Sequence, residues 1–398
     1  MPESIPFRWP ASWTDASNLE LLKGSPITCI AGEKPPPFPL GGIEFIALDP
    51  TRQPAGIALR EGVWPRVLVA TRKDAAGGGA TGGPWVDSNA WTVRLAQITE
   101  PSQVVWLTYS TPGGNEITPI DSFVKPIAEA EAYGAHWVIA PDDYFAGLLA
   151  QRAEKALGEW KRMMAALRFF EARHDRRTWT PEAPLTVAST FQGDDKLLSE
   201  EFLNLAPRRR LAYNPMRAQD VPGAAFTGAK AVLYLETAPP PGATRARLLE
   251  FARAGGLLIA PRGTVDAPAE RRLAEHSVRG YGKGRVAMPL QKWEDPFTLV
   301  DQVHVLVSHR EDPVRVWNGG DLDVFHLTSP RRDRALTHLV PYASGRTLSI
   351  TLGYSSPYRR ARVLTPASET AAPLVRAEMG LEVQLSPFVD YAAVELET

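Results

Sequence analysis

Residues 245–260 read RARLLEFARAGGLLIA, and this stretch decides how the middle of the chain folds. The pattern predicts a helix over Arg245–Ala254, because the Gly255-Gly256 pair that follows is a usual left-handed helix cap. The apolar run Leu257–Ala260 comes directly after the cap and is predicted to form a buried strand. A helix followed at once by such a strand is typical of a β-α-β unit.

The same alternation extends on both sides of this stretch. Upstream, apolar runs separated by a helical pattern predict a strand, a helix and a second strand, at Leu185–Ser189, Leu197–Leu205 and Ala231–Leu235. Downstream, Gly280–Val286 (GYGKGRV) leads into another strand. We therefore predict an α/β domain over residues 181–310.

The last part of the chain has a different pattern, with short apolar runs separated by turn residues. Seven such runs predict strands, at Val314–Trp317, Val324–Leu327, Ala335–Pro341, Thr347–Thr351, Ala361–Leu364, Glu382–Leu385 and Ala392–Leu396. This number and spacing are typical of two packed antiparallel sheets. We predict a C-terminal antiparallel β-sandwich over residues 311–398.

Before residue 181, short β-rich runs alternate with fewer helical stretches. Strands are predicted at Ile27–Ile30, Ile43–Leu48, Val67–Ala70, Trp85–Val86, Val104–Tyr109 and Trp137–Ala140. Helices are predicted at Trp91–Ile98 and Phe123–Tyr133, followed by one long helix over Tyr144–Arg173. The alternation indicates parallel strands with crossover helices, but residues 31–66 leave too little room for a helix in every crossover. We predict an irregular or shortened (β/α) barrel domain over residues 1–180, which begins with an irregular leader up to residue 26.

Charge and apolar content argue against two classes of partner. The formal net charge is −1, whereas a surface that tracks nucleic acid is usually strongly basic. No apolar run approaches the roughly 18 residues that a membrane-spanning helix needs. We expect no nucleic-acid partner, no membrane partner, and a cytoplasmic location by default, or a secreted one if a signal peptide precedes residue 1.

Acidic residues follow several predicted strands, where α/β folds carry their reactive groups. Asp87 follows one strand, and Asp142 and Asp143 follow another. Paired carboxylates can cleave a glycosidic bond, one as the acid and the other as the nucleophile or base. The alternative is that these aspartates cap helices, Asp142 or Asp143 the long helix and Asp87 the helix that starts near residue 91.

Aromatic side chains in or beside the strands are candidate platforms for a sugar ring, whose apolar C–H face packs against an aromatic ring. The substrate-binding candidates are Trp85, Asn89, Trp106, Tyr109 and Trp137. For each tryptophan the alternative is ordinary core packing.

No motif indicates a metal or a cofactor. His304 and His309 lie five residues apart, without the spacing of a known metal-ligand pair. Cys29 is the only cysteine, which excludes an intramolecular disulfide and a cysteine-based cluster. The sequence contains no GxSxG motif, so that a serine-hydrolase elbow is not indicated. We expect no metal and no cofactor.

Several segments resemble glycoside hydrolase family 42-like beta-galactosidases. Leu248–Ala260 and Gly280–Val286 are similar to the middle domain of that family, and Ala335–Tyr342 with Tyr391–Leu396 is similar to its terminal domain. The resemblance implies a catalytic barrel, a trimerisation domain with a flavodoxin- or amidotransferase-like fold, and a small β domain. It also implies a saccharide ligand and a homo-oligomer, either a dimer or a trimer.

Two departures from the family pattern bear on activity. The amidotransferase-like domain lacks a cysteine, which excludes amidotransferase chemistry there. The resemblance implies a catalytic acid in an Asn-Glu pair at a strand end, together with a second Glu on a later strand. The sole such pair is Asn115-Glu116, several residues past a predicted strand, and Glu116 is therefore a fourth catalytic candidate.

Two functions follow from these patterns. The first is a glycoside hydrolase-like enzyme that acts on saccharides through paired carboxylates. The second is a non-catalytic relative that binds saccharide or serves as an oligomer scaffold. The tryptophans and aspartates at strand ends favour the first function, and the absence of a convincing Glu pair favours the second.

Overall fold

The computed structural model describes residues 4–49, 52–68, 85–110, 122–266 and 268–398. Its sheets fall into three regions along the chain: short parallel sheets, a seven-stranded mixed sheet, and two antiparallel sheets. Within these ranges, no helix combines the length and the apolar character needed to cross a membrane. The chain is a mixed α/β protein with several sheets, and the domain boundaries near residues 180 and 310 stay predictions.

The described part of the first region contains eight short strands and four α-helices. The strands are β1 Pro6–Arg8, β2 Cys29–Gly32, β3 Glu44–Ala47, β4 Ile57–Glu61, β5 Arg66–Leu68, β6 Trp85–Asp87, β7 Val104–Thr108 and β8 His136–Trp137. The helices are α1 Ala90–Thr99, α2 Val124–Ala132, α3 Asp143–Ala150 and α4 Glu154–Glu171. Strands β5 and β6 form a separate antiparallel pair.

The other six strands of this region form a parallel ladder. Hydrogen bonds pair them in the orders β4-β7-β8 and β1-β2-β3. The backbone of Ile139, just after β8, joins the two halves by accepting from Arg8 N (2.8 Å) and donating to Pro6 O (3.3 Å). Among the described residues no ladder joins β3 to β4, so that a closed barrel is not shown.

This parallel sheet curls around a buried interior cluster. Side chains from β2, β4, β7 and the residue after β8 meet there, and they include Cys29, Ala31, Ile57, Trp106 and Val138. In a flat sheet β2 and β7 would lie three strand spacings apart, about 14 Å, yet both contribute side chains to this one cluster, which indicates a curved sheet. Burial raises the pKa of the Cys29 thiol to about 12, which keeps this group protonated and unreactive.

Two sequence predictions for the first region are wrong. Pro6–Arg8 is not part of an irregular leader, because it forms β1 in the middle of the parallel ladder. The single long helix over Tyr144–Arg173 is in fact α3 and α4, which are separated at residues 151–153. Arg152 adopts a φ of 57° there, and its guanidinium donates to the Leu149 carbonyl (2.9 Å) at the end of α3.

The middle region is built on the predicted β-α-β alternation. Its strands are β10 Leu185–Ser189, β11 Tyr213–Arg217, β12 Ala231–Tyr234, β13 Leu257–Ile259, β14 Arg271–Leu273, β15 His276–Tyr281 and β16 Gly284–Pro289, and strand β9 Thr180–Pro181 precedes them. Its helices are α5 Lys196–Leu205, α6 Gly242–Ala254 and α7 Pro296–Val307. The sheet order is β11-β10-β12-β13-β16-β15-β14, with the first five strands parallel. Gly255 caps α6 with a φ of 128°, as the Gly-Gly pair predicts.

The C-terminal region consists of two antiparallel sheets, as the sequence predicts. Its strands are β17 Val314–Trp317, β18 Leu322–Thr328, β19 Arg334–Pro341, β20 Ile350–Tyr354, β21 Arg360–Thr365, β22 Ser368–Ala372, β23 Val375–Ala377, β24 Gly380–Leu385 and β25 Ala392–Glu397. One sheet has the order β17-β20-β24-β23 and the other the order β22-β21-β25-β19-β18-β9. Strand β9, which precedes the middle region in the sequence, therefore pairs with β18, which follows that region.

The six-stranded sheet is covered on both faces. Along β19, Leu336 and Val340 belong to the core of the first region, whereas Ala335 and Leu339 face the four-stranded sheet. This period-two alternation between two cores explains why β19 is almost uniformly buried. The first region and the six-stranded sheet thus share one continuous hydrophobic core.

Candidate functional site

A cleft lies at the carboxyl ends of the parallel strands of the first region. Its volume is about 700 Å³, and the segments that follow β1, β2, β7 and β8 line it. These four strands are neighbours in the order β7-β8-β1-β2. Parallel α/β folds carry their sites at this edge, because loops from several strands converge there. The side chains that matter below are Arg8, Trp9, Glu33, Tyr109 and Asp143.

Trp9 forms one aromatic wall of the cleft. It directly follows β1, and its indole N–H donates to the Trp13 carbonyl (2.8 Å). Its ring packs edge-on against Trp13 at 5.1 Å and against Phe38 at 5.5 Å between centroids. Trp13 is itself buried, and it donates to Ala146 O (3.0 Å) in α3. The half-buried Trp9 ring is therefore held in one orientation before any ligand binds.

Tyr109 lies one residue past β7 and is half-buried in the same cleft. Its ring stacks on Trp137 with centroids 6.0 Å apart and lies 5.3 Å from Trp64. Trp137 is only 2% exposed, and Trp106 is only 1% exposed inside the curled sheet. The side chain of Trp85 is outside the described part of the chain. A role of Trp85, Trp106 and Trp137 in substrate binding stays a prediction.

Charged groups lie on the rim of the cleft. Arg8 ends β1 and Glu33 follows β2, with Arg8 Nη2 3.9 Å from Glu33 Oε1. The Glu33 side chain is 73% exposed, so that this ion pair adds little stability. Asp143 is the exposed first residue of α3, where the positive end of the helix dipole favours a carboxylate.

The three aspartates predicted to be catalytic have different environments. Asp142 caps α3, and its carboxylate accepts from Phe145 N (2.7 Å), which is the capping role that the sequence offered as an alternative. Asp143 faces the cleft, whereas Asp87 is not among the described residues that line it. Asp87 lies at the end of β6, 3.7 Å from Arg66, and burial raises the pKa of its carboxyl group. The structure therefore brings Asp143, but not Asp87, to the cleft. Glu116 lies outside the described residues.

Asn89 is engaged in holding the fold. Its amide group bonds both the N–H and the C=O of Val63 (2.8 Å each), and its Nδ2 donates to Glu129 (2.7 Å). Glu129 also accepts from the Tyr342 hydroxyl (2.7 Å), which links α2 to the segment after β19. Burial raises the pKa of Glu129 to about 7. Asn89 is 1% exposed, and its predicted contact with substrate stays a prediction.

Three residues of the cleft, Arg8, Trp9 and Glu33, are not among the candidates that the sequence patterns indicate. Arg8 and Trp9 are missing because β1 has only three residues and its sequence predicts part of an irregular leader. Glu33 was missed although it follows the predicted strand at Ile27–Ile30, since it lies three residues beyond the predicted end. The polar residues within about three positions of a predicted strand end include Glu33, whereas Arg8 and Trp9 lie beside no predicted strand.

Comparison with solved structures gives similar folds among carbohydrate-active enzymes. The alpha-L-fucosidase isoenzyme 2 from Paenibacillus thiaminolyticus matches with a TM-score of 0.56 at 11% identity, over 77% of this chain and 62% of that chain. A GH42 beta-galactosidase from G. stearothermophilus matches with a TM-score of 0.51 at 12% identity, over 78% and 56%. The fold is glycoside hydrolase-like.

A rhamnosidase from Novosphingobium sp. PP1Y also matches, with a TM-score of 0.53 at 12% identity, over 86% of this chain and 34% of that chain. This chain thus spans less than two thirds of the length of each of these enzymes. No protein-family model and no curated protein matches the sequence. At such low identity the likeness shows the fold alone, and the resemblance to family 42 holds for the fold and not for family membership.

Proposed function

We propose that this protein binds a saccharide in the cleft at the carboxyl ends of β1, β2, β7 and β8. The observation that carries the proposal is the pairing of two fixed, half-buried aromatic rings, Trp9 and Tyr109, with charged groups that line the same cleft. A sugar has apolar C–H faces that pack on aromatic rings and hydroxyl groups that need hydrogen-bond partners. The cleft offers both.

Each group at the rim has a distinct part in such a complex. The Trp9 indole presents its ring, because its N–H is already bonded to Trp13. The Arg8 guanidinium donates hydrogen bonds to sugar oxygens, while the carboxylates of Glu33 and Asp143 accept from sugar hydroxyls. The volume of about 700 Å³ is sufficient for a small oligosaccharide.

Binding is tested by calorimetric titration with galactose, fucose, rhamnose and short oligosaccharides that contain them. Trp9→Ala removes one aromatic ring from the cleft. The loss of about 60 Å² of apolar contact, together with the loss of the aromatic stacking energy, should weaken binding by about 2 kcal/mol, a ~30-fold increase in Kd. Trp317→Ala is the matched control, because Trp317 is a 40% exposed tryptophan on β17, away from the cleft. Equal affinities of the two variants, or no binding of any of these sugars by the wild type, would contradict the proposal.

A second candidate function is hydrolysis of a glycosidic bond in the same cleft. The observation that favours it is that Glu33 and Asp143 come from the ends of different strands and line one cleft. Two carboxylates on opposite sides of a bound sugar are what both retaining and inverting hydrolysis require. The glycoside hydrolase-like fold agrees with this chemistry.

Hydrolysis is tested with a panel of aryl glycosides. Glu33→Gln and Asp143→Asn keep size and hydrogen bonding but remove the acid or base, and each should lower kcat by at least about 100-fold. Asp87→Asn is the matched control, because Asp87 is not among the described residues that line the cleft. This substitution should leave kcat unchanged. Sugar binding without turnover of any glycoside would leave the protein as a non-catalytic saccharide binder.

A further inference from the structure

The end of α7 brings two histidines and an aspartate together, at a place remote in sequence from every cleft-lining residue. His304 lies in the last turn of α7, and Ser308 follows the helix with a φ of 85° and a ψ of 129°. This turn reverses the chain, so that a short 3-10 helix returns His309 over His304, with 3.7 Å between ring centroids. Asp312 comes at the end of this turn, two residues before β17.

We propose that His304, His309 and Asp312 form a zinc-binding site. Their ligand atoms all lie within 4.8 Å of one another. His304 Nε2 is 2.8 Å from Asp312 Oδ1, and His309 Nδ1 is 3.3 Å from Asp312 Oδ2. Ligand atoms about 2.0–2.2 Å from a tetrahedral Zn²⁺ lie about 3.3–3.6 Å apart, so that small side-chain rotations admit the ion.

The donor set selects the metal. Two imidazole nitrogens and one carboxylate oxygen suit Zn²⁺, whereas Ca²⁺ and Mg²⁺ prefer oxygen ligands throughout. The imidazoles bind as neutral groups and the aspartate carries one negative charge, so that the site keeps a net positive charge when zinc is bound. The carboxyl end of α7 offsets part of this charge, because the helix dipole is negative there.

Two ligands of the site are buried and the third is exposed. His304 and Asp312 are buried, at 2% and 8% exposure, and so hold their positions within the fold. The His309 side chain is 69% exposed, which leaves the ion a path from solvent and a fourth position for water. Because His304 belongs to the middle region and Asp312 leads into β17, a bound ion ties the two regions together.

The binding test uses the full-length protein after metal removal with a chelator. Zinc is titrated in competition with a chromophoric chelator, and Co²⁺ absorption reports the coordination geometry. We expect one Zn²⁺ per chain and a visible d–d band with Co²⁺. His309→Ala should weaken zinc binding by at least about 100-fold, since it removes one of three protein ligands.

His309→Ala is a safe variant because this side chain is mostly exposed. His174→Ala is the matched control, since His174 is also exposed but lies far along the chain, in the turn after α4. Zinc should raise the Tm of the wild type and of the His174→Ala variant, but not that of the His309→Ala variant. Affinities of the two variants within about threefold of each other, or no stoichiometric zinc binding by the wild type, would overturn the proposal and leave Asp312 as a hydrogen-bond acceptor for two imidazoles.

Discussion

His338 provides a quantitative test of the core between the first region and the six-stranded sheet. It lies on β19, is 6% exposed, and its Nδ1 is hydrogen-bonded to the Tyr391 hydroxyl (2.6 Å). Burial, together with the nearby charges of Arg176 and His326, lowers the pKa of His338 from 6.5 to about 3. The folded protein therefore keeps this imidazole neutral at pH values where the unfolded chain protonates it.

The sign and size of the effect follow from proton linkage. Between pH 6.5 and the folded pKa the unfolded state binds the additional proton, so that the free energy of unfolding falls as the pH falls. From pH 6.5 to pH 5.0 this amounts to 1.5 pH units at about 1.4 kcal/mol each, or about 2 kcal/mol from His338 alone. Above pH 6.5 both states are neutral and the contribution is flat.

The measurement compares wild type with His338→Asn by urea unfolding at pH 7.5 and pH 5.0. Asparagine keeps a polar partner for the Tyr391 hydroxyl but does not titrate, so the acid-induced loss of stability should be about 2 kcal/mol smaller in the variant. Subtracting the variant from the wild type cancels the pH-dependent contributions of the other buried titrating groups. Glu129 is one of them, and its raised pKa makes the free energy of unfolding rise, not fall, as the pH falls. His174→Asn, at an exposed position, should behave like the wild type. A wild-type-minus-variant difference that stays constant with pH within about 0.5 kcal/mol would refute the reasoning.

Three further substitutions test local features of the fold. Gly158→Ala, at an exposed site inside α4 with open space around it, should stabilise the protein by about 0.5–1 kcal/mol in chemical denaturation, and a loss of stability would contradict this. Gly284→Ala should prevent a normal unfolding transition or lower the Tm sharply, because the added Cβ collides with backbone oxygens of Ala252 and Gly256; a Tm equal to that of the wild type would show that β16 can move. Asp142→Ala should cost about 1 kcal/mol in urea unfolding, whereas Asp142→Asn should cost little, since asparagine is an equally good N-cap; equal losses in both would argue against capping as the role of Asp142.

Local patterns predicted the middle and C-terminal regions well. Leu185–Ser189 and Val314–Trp317 were predicted with the bounds that the structure shows. Continuous apolar runs and a Gly-Gly cap are short-range signals, and they are strong where strands are buried and helices end sharply. Helix α7 was not predicted, although Asp295 caps it by accepting from Thr298 N (3.0 Å).

The first region was harder to predict because long-range packing defines it. Strand β1 has only three residues, yet it joins the two halves of the parallel ladder through Ile139, more than 130 residues away. The break between α3 and α4 contains no Gly or Pro, so that the helical period runs through it without a signal. Both features depend on contacts between residues that lie far apart in the sequence, and no short stretch of sequence contains such a contact.

The candidate site could be predicted only in part for the same reason. Tyr109 and Asp143 were selected from strand ends, and both line the cleft. Trp9 and Glu33 depend on the unexpected β1 and on a strand β2 that ends two residues later than predicted. Asp312 escaped notice beside His304 because only the turn at Ser308 brings them together.

The shared core sets an order for the making of this protein on the ribosome. Phe169 and Phe170 of α4 pack against Tyr391, with ring centroids 5.7 and 4.9 Å apart, although Tyr391 follows α4 by more than 200 residues. The first region therefore emerges from the exit tunnel more than 200 residues before the strand that completes its core. We expect the nascent chain to expose that apolar face throughout translation, and to depend on chaperones until β25 is released.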